Sequence, residues 1–149
     1  MNSEVELGPQ LGARLSYLLK RAFLELEELH AEHLGSTGVN ARELAVLLLL
    51  DGREPESQQQ AAGRLGVDRT TMVGLLDGLE GKGLVARQTD AGDRRRNVVA
   101  LTDAGQRTLK KAKAASDEAE GRLLGELSEP EARQFRELLM RVAVGRVRP

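Results

Sequence analysis

The sequence predicts a mainly helical chain that carries one small β-hairpin. Three observations predict it. Apolar residues recur at steps of three and four along most of the 149 residues. Cap-forming pairs and glycines bracket those runs. One stretch alone, residues 84–102, breaks into two β-branched runs around a turn. With 40% apolar and 30% charged residues, and no apolar run long enough to cross a bilayer, the chain reads as one soluble globular domain without a membrane partner. A chain this long buries roughly two-thirds of its unfolded surface. Cysteine is absent, which excludes disulfides, thiolate catalysis, thiol redox sensing and Cys-based zinc sites. A reducing, cytoplasmic setting fits. The first ten residues, MNSEVELGPQ, show no basic region before an apolar core, so no export signal is visible.

Leu11, Leu15, Leu18, Ala22, Leu26 and Leu29 share one helical face, with Pro9 suited to the first turn and Gly35 and Gly38 closing the helix after Leu34. Asn40 and Glu43 cap a second helix whose body, ELAVLLLL, is apolar almost all round and belongs at the buried centre. It stops at Asp51-Gly52, and Pro55 keeps the next residues extended. Ser57 and Gln60 box a short third helix that ends at Gly66. Asp68 caps a fourth, which turns Met72, Leu75, Leu76 and Leu79 to one face and Thr70, Gly74 and Asp77 to the other before Gly81 and Gly83 close it. LVARQT and NVVALT, separated by DAGDRRR, form the hairpin. Thr102 caps a long fifth helix bearing Leu109, Ala112, Ser116, Ala119, Leu123 and Leu127. Ser128 and Glu131 box a sixth with Phe135, Leu138, Leu139 and Val142.

The net charge of −1 argues at first against a nucleic-acid partner. Regional counts say otherwise. Residues 1–34 carry three basic and six acidic side chains, and 35–62 two and four; residues 63–102 carry seven and five, and 103–149 ten and eight. The sharpest basic cluster is Arg94, Arg95 and Arg96, with Arg87 just before it. Three aromatic residues in all, Tyr17, Phe23 and Phe135, are too few for a base-stacking platform on single strands.

A helix, a glycine turn, a second helix with a polar outer face and then a hairpin with a basic tip make a winged helix-turn-helix. Such a lobe puts its second helix in the major groove of double-stranded DNA and its wing on the backbone or minor groove beside it. The stretch GVDRTTMVGLLDGLEGKGLVARQ and the wing DRRRNVVALT resemble the multiple-antibiotic-resistance repressor (MarR) family of bacterial transcription regulators, from Leu11 to about Val142. The most specific part is Asp93-x-Arg95 followed by Leu101-Thr102. The resemblance implies that Arg95 enters the minor groove and that Asp93 holds its guanidinium, which agrees with the need of a planar fork for a carboxylate along one edge. The plain alternative is a solvated charged turn. Arg69, Thr70 and Thr71 match the family's contact positions at the start of the recognition helix, with helix capping as the alternative for the two threonines. Gly74 stands where relatives often present a longer polar or basic side chain, so base readout is sparse and more weight falls on the wings and on DNA shape.

The first, fifth and sixth helices carry more apolar face than one small lobe covers. The resemblance implies that they interlock into a homodimer on a roughly palindromic operator; an intramolecular bundle is the alternative. Residues 9–34 and 103–147 are thus expected to form a helical dimerisation region, and residues 40–102 the DNA-binding lobe. Many relatives bind small aromatic or anionic molecules in a cleft between the two, and Tyr17 and Arg21, one turn apart, are the candidates for such an effector, against core packing and a surface charge. His30-x-x-His33 could place two imidazoles on one metal ion, but no third ligand is evident, and two solvated histidines near a helix end are the simpler reading. No phosphate loop, nucleophile triad or paired-carboxylate motif appears, so neither an enzyme nor a cofactor is expected. The expected function is that of a homodimeric DNA-binding repressor relieved by a small effector. Its rivals are a metal-responsive regulator using His30 and His33, and a winged helix used for protein contacts.

Overall fold

The computed structural model describes residues 3–52, 56–89, 92–94 and 97–145. Its helices are α1 (Ser3–Leu11), α2 (Leu15–Leu34), α3 (Ala41–Leu50), α4 (Gln58–Leu65), α5 (Arg69–Gly81), α6 (Asp103–Leu123) and α7 (Glu129–Val144). The strands β1 (Glu56–Ser57), β2 (Val85–Thr89) and β3 (Asn97–Leu101) form one antiparallel sheet in the order β1-β3-β2. The expected hairpin is β2–β3, with Arg87 opposite Val99. β1 adds a third strand on the other edge of β3, pairing Ser57 with Val98. Pro55 itself lies outside the described residues.

Caps written in the sequence start the helices where expected. Asn40 and Glu43, Ser57 and Gln60, and Ser128 and Glu131 each form a reciprocal capping box, and Thr102 Oγ1 accepts from the Gly105 amide at 3.0 Å. Gly66 ends α4 in the left-handed conformation, at φ 66°.

Two helix boundaries differ from expectation. The long first helix does not begin at Pro9. Gly8, at φ 72°, kinks α1 ahead of Pro9, the Gly12 amide closes a turn onto the Gly8 carbonyl, and α2 starts afresh where the Arg14 carbonyl accepts from Tyr17 and Leu18. Two glycines so close together remove the local preference for helix, and the apolar spacing does not restore it. The fifth helix ends at Leu123 rather than reaching Leu127, because Gly125 and Leu127 close tight turns onto Arg122 and Leu124.

The chain divides into two compact units. The first comprises residues up to Leu29 together with those from Ala119 onward; the second is His30–Glu118. In the second unit α3 is the buried centre, with Val46 and Leu47 fully inaccessible. Around it pack Ala61 of α4, Met72, Leu76 and Leu79 of α5, Val99 of β3, and Leu109 and Ala112 of α6. Gly105 lies in the first turn of α6, so close to the turn leaving α5 that a Cβ there would fall onto the Leu84 carbonyl oxygen. In the first unit Arg136 of α7 pairs with Glu120 at 2.7 Å, and no residue of α7 is buried.

Candidate nucleic-acid interface

The interface is built on α4, a turn and α5. Asp68 caps α5 by accepting from the Thr71 amide at 2.7 Å and the Thr71 hydroxyl at 3.0 Å. These bonds hold the Asp68 carboxyl below the usual range, the amide contributing most. Arg69 and Thr70, in the first turn, are exposed, as is Gly74 one turn on. A Cβ at Gly74 would meet nothing within 4 Å, so neither packing nor backbone conformation requires glycine there. Thr71, expected beside them as a base contact, has contacts of its own. It is half-buried, spends its hydroxyl on the cap and helps line a cleft of about 420 Å3 with Arg42, Ala45, Leu65, Val67 and Leu75.

Arg87 has partners within the lobe that its place beside the basic cluster does not suggest. Its Nη2 lies 2.6 Å from Asp77 Oδ1 and its Nη1 2.9 Å from Glu80 Oε1. The hydrogen bond to Asp77 is the main cause holding this guanidinium even more firmly protonated than usual. Asp77 and Glu80 lie three residues apart on one face of α5, so a single fork reaches both. Arg87 therefore ties the wing to the recognition helix, whereas the sequence suggested a phosphate contact beside the basic cluster. Of the wing tip, Asp93 and Arg94 are exposed; Arg95 and Arg96 lie outside the described residues.

One pair went unread in the sequence. Glu43 is buried, and besides capping α3 it accepts from Lys82 Nζ at 3.0 Å and 2.8 Å. Lys82 follows the last turn of α5 and also donates to the Gly38 carbonyl at 2.8 Å. The end of the recognition helix is thereby held to the start of α3. Asn40-x-x-Glu43 signalled the cap, and nothing in sequence signalled the second partner.

The remaining candidates lie elsewhere. His30 Nε2 is 2.9 Å from Ser116 Oγ, a bond between α2 and α6 that commits one imidazole nitrogen. Among the described residues no group of three His, Asp or Glu side chains is placed to hold a metal ion. Tyr17 and Arg21 sit one turn apart on α2, Tyr17 partly and Arg21 largely exposed. Among the described residues no helix is long and apolar enough to cross a membrane.

A family model described as MarR family matches residues 39–96. Among solved structures, the chain is similar to a transcriptional regulator (MarR family) from Rhodococcus sp. RHA1, at 32% identity and TM-score 0.84, covering 93% of this chain and 98% of that one. It is similar to the transcriptional repressor CouR bound to a 23-mer DNA duplex, at 34% identity and TM-score 0.84, covering 90% and 95%. It is also similar to CouR from Rhodococcus jostii RHA1 bound to p-coumaroyl-CoA, at 31% identity and TM-score 0.81, covering 95% and 100%.

Proposed function

Because the chain belongs to the MarR family of transcriptional regulators, we propose that it binds double-stranded DNA as a homodimer and represses from a roughly palindromic operator until a small effector releases it. The observation that carries this reading is the outward face of α5, where Arg69, Thr70 and Gly74 stand exposed while Met72, Leu76 and Leu79 are buried behind them. A helix anchored so firmly and bare on its outer side suits a major groove. The DNA duplex held by CouR supports the same use of the lobe. Arg94, Arg95 and Arg96 supply the wing's charge, with Asp93 orienting Arg95.

The dimerisation region is assigned to residues 9–34 and 103–147, and the DNA-binding lobe to 40–102. Exposed Phe23 and Leu24 on α2, and Leu138, Met140 and Val142 on α7, form apolar surface of the kind a second copy covers. Two-fold symmetry then sets two recognition helices about one turn of B-DNA apart. The effector is an aromatic or anionic molecule met by Tyr17 and Arg21; the p-coumaroyl thioester held by CouR belongs to that chemical class. It acts by favouring a dimer whose recognition helices no longer match the operator spacing.

Selection of bound duplexes from a random pool, followed by anisotropy titration at several salt concentrations, tests the reading. A two-fold-related site whose affinity falls steeply with salt is expected. Recovery of no preferred duplex, or a flat salt response, would refute it.

A further inference from the structure

We propose that Arg87 is a positioning residue, which fixes the angle between the recognition helix and the wing and makes no contact with phosphate. The proposal rests on the DNA-binding reading and names a part within it. Arg87 sits at the middle of β2, opposite Val99 of β3, so its side chain leaves the paired body of the hairpin. Both ends of its guanidinium are committed, one to Asp77 and one to Glu80, and its side chain is only 23% exposed. One cation among two carboxylates leaves the cluster net negative, which repels a phosphate.

The connector from α5 to β2 is only three residues long, and Gly83 within it has φ 74°. Backbone bonds from Gly83 to Glu80 and from Leu84 to Leu79 hold its base. Arg87 is the next tie outward along the strand. From Arg87 to the end of β2 at Thr89 is two residues, a lever of about 7 Å at the rise of a strand. A swing of about 10° at its foot moves Thr89 by about 1 Å and a wing tip farther out by more, against a minor groove roughly 6 Å wide. The fork thus turns a hinge into a fixed spacing between two grooves.

The chain contains no cysteine, so spin labels at Gly74→Cys and Thr89→Cys report the helix-to-wing distance when labelled chain is diluted with unlabelled. We expect a narrow distribution with Arg87 in place. It should widen at least two-fold in Arg87→Gln and in the double variant Asp77→Asn, Glu80→Gln. In the unlabelled proteins, both changes should weaken operator binding tenfold or more. Arg87→Gln should leave the salt slope unchanged, and the double variant should bind random duplex as well as or better than the parent. Unchanged distance distributions would overturn the proposal. So would a salt slope flattened by about two units in Arg87→Gln, one per protomer, or tighter operator binding by the double variant. If the unaltered chain binds no duplex, the DNA-binding reading fails, and the distance measurement still decides whether Arg87 holds the wing.

Discussion

Lys82 and Glu43 form an ion pair whose two halves should not be equally costly to remove. Glu43 is 10% exposed at its side chain and Lys82 44%. In Lys82→Met the carboxylate is stranded where water reaches poorly, keeping only the Asn40 amide at 3.1 Å. Stripping a buried charge of its partner costs about 3–5 kcal/mol. Solvent screening on the half-exposed lysine side brings the expected loss to about 2–3 kcal/mol. Glu43→Gln retains an oxygen for the cap and leaves an ammonium that water and the Gly38 carbonyl still solvate, so it should cost about 1 kcal/mol. Lys82→Met with Glu43→Gln removes the stranded charge and should be less destabilised than Lys82→Met alone. Urea unfolding of all four proteins at one chain concentration reads these differences as midpoint shifts at constant slope. Additive losses, or Glu43→Gln costing as much as Lys82→Met, would refute the asymmetry and with it the view that Glu43 depends on Lys82.

Gly105→Ala should destabilise by about 1–3 kcal/mol through the forced shift against Leu84, although helix propensity alone predicts a gain of about 1 kcal/mol; a thermal melt gives the sign. Because the folded Asp68 carboxyl titrates below its usual value, the unfolded chain takes up the proton first as pH falls. Its contribution is therefore complete above the ordinary aspartate value and is lost as pH drops through the lowered one. Asp68→Asn, which still caps, should remove that acid-side dependence, as urea midpoints across pH 2–5 would show. Leu138→Glu with Met140→Glu should yield a monomer by sedimentation at micromolar concentration if α7 faces a second copy, and an unaltered dimer would move the interface elsewhere. Arg95→Ala should flatten the salt slope of operator binding by about two units. Asp93→Ala should weaken binding although it removes negative charge; tighter binding would reduce the wing tip to a diffuse basic patch.

Local chemistry in this chain was readable wherever the partner lay within four residues. Asn40 with Glu43 and Ser57 with Gln60 declare their helices, because a cap is a contract between near neighbours. Met72, Leu76 and Leu79 declare the buried side of α5 because period alone selects a face. What the sequence concealed depends on contacts made by folding. Asp77 and Glu80 look like a solvated acidic edge until β2 returns alongside with Arg87. Glu43 looks like a cap alone until Lys82 arrives from 39 residues away. Gly105 looks like a poor helix former until Leu84 is found against it. The break at Gly12 is legible in principle, but the steps of Leu11, Leu15 and Leu18 span it and suggest one helix where there are two.

Of the seven basic side chains in residues 63–102, Lys82 and Arg87 are neutralised from within by carboxylates. This bears on how such a regulator searches a genome. Non-specific residence on duplex is set by cations able to displace counterions, and each one withdrawn lowers affinity for every sequence alike. Operator and background then lose in proportion, while these three internal ion pairs preserve the geometry that the operator alone rewards. The protein consequently spends less of its time detained on the roughly 10⁶–10⁹ competing sites a genome offers. More of it stays in free solution, where a vacant site is found by encounter rather than by long sliding.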